Sequence, residues 1–142
     1  MGEFSLVYPM FALVLLTGTV LVILFRSRVR AVRQGQLSSQ YFRIYQGESE
    51  PAQSAQASRH FSNLFEAPTL YYAACLAAMI VHDHSNVLLL LAWLYVAARA
   101  AHAFVHMGGN RLRHRMRAYF AGWLVLVAMW LQVVAHVVLA HA

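Results

Sequence analysis

The chain has 142 residues, 61% of them hydrophobic, and eleven arginines with no lysine give it a formal net charge of +6. That apolar share exceeds what ordinary water-soluble domains carry, and the length fits one domain, so a soluble multidomain enzyme is excluded. The arginines flank apolar runs and form no single soluble basic face, which argues against nucleic acid as a partner.

The first apolar run covers residues 6–25, about the ~20 residues needed to cross a bilayer. No basic residue precedes it, whereas Arg26, Arg28, Arg30 and Arg33 follow it. A secretory signal peptide has the opposite order, so this run is expected to be an uncleaved span with its N-terminus outside. Pro9 sits in the first turns, where a missing backbone donor costs little. The helix is expected to run over 6–33, and residues 46–56 are expected to form an exposed loop.

A second helix is expected over 59–81, with Ser58 as its N-cap. Pro68 would lie inside it, kink it just after Glu66 and free backbone carbonyls there. Residues 82–86, His-Asp-His-Ser-Asn, form a tight polar turn that makes the next helix an antiparallel neighbour. That third helix is expected over 87–107, stopped by Gly108-Gly109-Asn110. A basic loop over 111–117 then leads into a fourth helix over 116–140. The expected fold class is all-α: a single domain, 1–142, built as an integral membrane four-helix bundle with four transmembrane helices. Ten of the eleven arginines lie in 26–59 or 111–117. The positive-inside rule puts both stretches in the cytoplasm and both termini outside. Cys75 is the single cysteine, so no intrachain disulfide can form.

Several polar residues are out of place in lipid. Arg59, Asn63 and Glu66 stand at offsets 0, 4 and 7, which puts them on one helical face. Tyr95, Arg99, His102 and His106 form a stripe at offsets 0, 4, 7 and 11, prolonged past the glycines by Arg111 and Arg115. A charge inside a span costs about 2.5–3.5 kcal/mol or more, so Arg99 must face protein or a watery cavity. Two readings follow. Arg99 and Glu66 make a buried ion pair that fixes helix packing, or the polar residues line a cavity open to the cytoplasm that takes an anionic ligand. The surplus of guanidinium over carboxylate favours a polyanion. His82, His84 and His136 cluster near the outer end, but with one Asp and no established geometry no metal is expected. His102 and His136 stand at different depths, which argues against a bis-histidine haem.

The Arg59-x3-Asn63-x2-Glu66 motif, then Arg99-x2-His102, then Arg111 and Arg115, resembles the MAPEG family, the membrane-associated proteins in eicosanoid and glutathione metabolism. The resemblance covers nearly the whole chain. It implies a homotrimer that holds glutathione between adjacent subunits near the cytoplasmic side. Arg59, Asn63 and Glu66 would contact glutathione, with Glu66 suited to its α-amino group. Tyr95, Arg99, His102, His106 and Arg111 would shape the site, and an arginine of Arg26, Arg28 or Arg30 would come from the neighbouring subunit to a glutathione carboxylate. Arg115 would stabilise the thiolate. Two positions depart from the pattern: Met116 replaces a serine and His106 a tyrosine. The implied activity is a membrane-bound glutathione-dependent transferase or peroxidase-like reaction on lipophilic electrophiles drawn from membrane lipid. The alternative is a non-catalytic lipid-binding or scaffold member of the same fold. The small size and short loops fit a bacterial inner-membrane protein with its active site facing the cytoplasm.

Overall fold

The computed structural model describes residues 2, 4–47, 49–109 and 111–140. Among them there is no strand. The helices are α1 (Val7–Arg33), α2 (Tyr41–Ile44), α3 (Ala52–Asn63), α4 (Ala67–Ile80), α5 (Asn86–Met107) and α6 (Leu112–Ala140).

Three of these, α1, α5 and α6, are long and apolar enough to cross a membrane. The expected fourth span is not continuous. Residues 59–81 are divided by a break after Asn63, and α4 has 14 residues. At ~1.5 Å per residue α4 is about 21 Å long, short of the ~30 Å hydrocarbon core. The break also corrects the role of Pro68. It does not kink a helix from inside; it stands in the first turn of α4, where no intrahelical donor is lost. Glu66 caps α4 with φ −91° and ψ −94°, away from helical values.

Three further boundaries differ from expectation. Ser58 is no N-cap: α3 begins at Ala52 behind Pro51, and Ser58 lies inside it. The exposed loop expected over 46–56 therefore ends where α3 starts. The basic stretch after residue 111 is not a loop but the first turns of α6, which starts at Leu112. Arginine, leucine and methionine are good helix formers, and a charged run outside the membrane can stay helical at no desolvation cost. The polar turn after α4 is as expected. Ser85 caps α5, its hydroxyl accepting from the Leu88 N–H. Asp83 is buried in that turn and accepts from the Ser85 N–H at 3.0 Å. Gln132 of α6 donates to the same carboxylate at 3.4 Å, tying the turn to the last helix. Asn110, expected among the helix-stopping residues, lies outside the described residues; α5 ends at Met107 with Gly108 behind it.

The core forms where α4, α5 and α6 meet α1. Leu13, Tyr71, Ala74, Leu88, Ala92, Tyr95, Leu126 and Met129 are all buried in it. The rings of Tyr71 on α4 and Tyr95 on α5 stack at 4.5 Å and 7°, while the backbone of α4 packs against α6. The closest packing is between α5 and α6, while α3 lies across α1 and α5. This places α3 as a polar cover over the C-terminal half of α5, and the site is built there.

Candidate functional site

The break between α3 and α4 creates the chemistry. The last carbonyls of an α-helix have no intrahelical partner. The Leu64 and Phe65 N–H groups take those of Phe61 and Ser62. The Asn63 oxygen is taken by Arg99, whose Nη2 donates to it at 3.0 Å. A cation at a helix C-terminus is also favoured by the helix dipole. Among the described residues Arg99 makes this contact in place of an ion pair with Glu66: Arg99 is buried, while Glu66 is exposed at the break. The guanidinium of Arg99 also stands 6.0 Å from the ring of Tyr119 on α6.

Over this point a cavity of about 680 Å3 opens between α3, α5 and the first turns of α6. That volume suits a small-molecule ligand. Arg59, Asn63 and Glu66 line it from one side, His102 and His106 from α5, and Arg115 from α6. Six of the twelve site residues singled out from the sequence thus share one cavity. Glu66 is the single carboxylate among the lining residues, against two guanidiniums. With Arg99 behind them, the local field is positive and favours an anion.

The other six stand elsewhere. Tyr95 is buried in the core, and Arg99 sits behind the cavity wall. Arg28 is held within its own chain: it pairs with Glu50 at 3.5 Å, donates to Ser58 at 3.3 Å and lies 5.2 Å from the ring of Phe42. Ser58 belongs to the cavity lining, so Arg28 reaches its rim. Arg26 and Arg30 line a different cavity, on the far side of α3. Arg111 is exposed and lies outside the lining.

Sequence reasoning missed Ser58, Ser62 and Tyr119 as lining residues, and His60 beneath them. Tyr119 follows Arg115 by one turn on the same face, which was the available signal. His60 is fully buried, with His102 at 5.3 Å and His106 at 4.9 Å between ring centroids. Its signal was the apolar-type spacing of Ala57, His60 and Leu64, the buried face of α3. Neither of its nitrogens has a hydrogen-bond partner. Burial first, then His106, His102 and Arg99, hold its pKa down to about 3, so it is neutral. Among the described residues no group of His, Cys, Asp or Glu is arranged to hold a metal ion. The surrounding guanidiniums oppose a cation in any case. Neutrality spares the buried imidazoles like-charge repulsion from the guanidiniums above them, while the unpartnered nitrogens of His60 remain a cost.

A family model described as the MAPEG family matches residues 6–135. The chain belongs to the MAPEG family. No curated protein and no solved structure matches it. The family includes glutathione transferases and peroxidases, and its membership together with three span-length helices marks an integral membrane protein.

Proposed function

We propose that this MAPEG protein is a membrane-bound, glutathione-dependent enzyme that presents the glutathione thiolate to lipophilic electrophiles entering from the bilayer. The observation that carries this reading is the shared cavity of Arg59, Asn63, Glu66 and Arg115. Glutathione is a small polyanion with one ammonium group. Glu66 is the lining group suited to that ammonium, and Asn63 can both donate and accept. Arg59 suits a carboxylate, bidentately. Arg115 faces the same space and is the group assigned to the sulfur. A free thiol titrates near ~8.5, and a fixed guanidinium lowers that value, raising the nucleophilic fraction at neutral pH. In conjugation the sulfur lone pair forms the new C–S bond, the leaving group departs with its electron pair, and the thiol proton passes to water.

The protein acts as a homotrimer, with Arg28 or Arg30 of the neighbouring subunit completing the carboxylate contacts. Four crossings are assigned: α1, α4, α5 and α6, with the short α4 tolerated by local thinning of the bilayer. Both termini are then outside, and the cavity faces the cytoplasm of a bacterial inner membrane.

A second reading is favoured by one observation. Met116 lines the cavity beside Arg115 and has no hydrogen to donate to a thiolate. A non-catalytic lipid-binding or scaffold protein would tolerate that residue. The two readings separate in one experiment, glutathione binding to the purified protein followed by ultraviolet thiolate absorbance. The enzyme reading expects binding with a thiolate signal that disappears in Arg115→Ala, and weaker binding in Glu66→Gln. Binding without thiolate supports the non-catalytic reading. Absence of binding at millimolar glutathione would sink both assignments of this ligand.

A further inference from the structure

One apolar face of α1 outlasts its apolar run. Phe11, Leu15, Val22 and Phe25 are exposed along that face, at offsets 0, 4, 11 and 14. Val29 and Val32 carry the same face past the first arginines, where a helix leaving the bilayer ordinarily turns polar all round. With Phe25 they form one wall of a hollow of about 550 Å3, and Phe42 and Tyr45 form the other. Arg28 and Arg33 complete its lining.

The second wall is built by α2. Tyr45 ends that helix in the left-handed conformation, with φ 51° and ψ 39°, which a bulky side chain rarely adopts. Its ring then stands 5.7 Å from that of Tyr41 and 6.2 Å from that of Phe42, edge to face. Arg28 ties the cluster to α1, 5.2 Å from the ring of Phe42 and 5.8 Å from that of Tyr45. Ile44 is nevertheless 61% exposed and Tyr45 55%, on a four-residue helix that water alone would not sustain. Depth indicates what covers them. The apolar run of α1 ends at Phe25, so the hydrocarbon boundary lies there. From Phe25 to Val32 the helix rises about 10 Å at ~1.5 Å per residue, which crosses the headgroup layer. Tyrosine collects at that level, with its apolar body toward lipid and its hydroxyl toward water. Arg43 is exposed in the same turn and suits headgroup phosphates.

We propose that α2 is a membrane-interface anchor: Phe42, Ile44 and Tyr45 sit in the headgroup layer beside α1, and the upper part of a bilayer lipid fills the hollow between the two helices. Arg28 is an internal strut of this corner and not a lipid ligand. The anchor does not rest on the glutathione reading and leaves Arg30 to it. By fixing α2 at the membrane surface it holds the lead-in to α3, whose far end carries Arg59 and Asn63 into the first cavity.

The test is site-directed spin labelling of the full chain in phospholipid vesicles, on a Cys75→Ala background so that each added thiol is the single one. One label is placed by Ile44→Cys. The water-exposed reference is Gln36→Cys, in the exposed stretch beyond the end of α1. Power saturation then compares access of oxygen, which partitions into lipid, with access of a nickel chelate, which stays in water. The oxygen-to-nickel ratio is expected to be severalfold higher at Ile44→Cys than at Gln36→Cys. Adding Phe42→Ser, which removes a ring that Arg28 holds, should bring the Ile44→Cys ratio down toward the reference. Equal ratios at the two positions would overturn the proposal by showing α2 in water. Exclusion of both reagents from Ile44→Cys would also overturn it, by placing α2 against another copy of the chain. So would a high ratio that Phe42→Ser leaves unchanged, since the aromatic cluster would then have no part in holding α2 to the membrane. The expected pattern in a chain that binds no glutathione would sink the function proposed above and leave the anchor standing.

Discussion

His60 shows how a single side chain answers to its surroundings. In the unfolded chain its imidazole takes a proton near pH ~6.5. In the fold it stays neutral down to about 3, because it is buried against two more imidazoles and Arg99. Between those values the unfolded state binds more protons than the folded one. Stability is therefore lost as pH falls below ~6.5, with a slope of at most about 1.4 kcal/mol per pH unit from this group. Thermal melts of His60→Gln in detergent should fall less steeply between pH 7 and 5 than those of the unaltered protein, on the order of that slope. Parallel melts would show that His60 is not the residue responsible. Arg115 and Met116 are the other pair that matters at this scale. One supplies a fixed charge to the cavity, and the other removes a donor from its wall.

The interrupted helix decides most at the scale of elements. Had α3 and α4 been one helix, Pro68 would sit in its interior, and Pro68→Ala would stabilise the protein by about 3 kcal/mol. In the broken arrangement Pro68 stands in the first turn of α4, and the same change should shift stability by less than about 1 kcal/mol, toward the less stable side. Denaturation of the two proteins side by side distinguishes these outcomes. The break was partly legible. Proline after Glu66 marked the place and the release of carbonyls near the site. That Arg99 would take the Asn63 oxygen, and not the Glu66 carboxylate, was not legible, because it depends on which way the chain turns after α3. The start of α3 was missed for a different reason. Residues 52–58 are alanine, glutamine and serine, and their helix is held by packing on α1 and by the Arg28–Ser58 contact, not by any strongly apolar run.

The whole molecule is under-packed for water. Only 22% of the most apolar window of α1 and 17% of that of α6 is buried within the chain. Phe11, Leu15, Leu124, Leu131 and Leu139 are among the large apolar residues left exposed. Faces of this kind are satisfied by lipid in an integral membrane protein. Light scattering of the protein in mild detergent is expected to give three copies per particle, and a monomer would leave the neighbouring-subunit arginine without a basis. The aromatic contacts of Phe42 and Tyr45 with Arg28 act at the same scale, since they fold α2 back onto the C-terminal end of α1.

The sequence alone determined the all-helical class, the three long spans, the short turn between α4 and α5, and the identity of most cavity-lining residues. These follow from hydropathy and from helical periodicity, which act along the chain and within a few turns of it. Only the tertiary structure decided that α3 and α4 are separate, that Arg28 belongs to α3 while Arg26 and Arg30 enter a second cavity, and that three imidazoles meet beneath the first. Each of these depends on how one helix is turned against another. That rotation is set by the packing of whole faces, and no single residue or spacing encodes it.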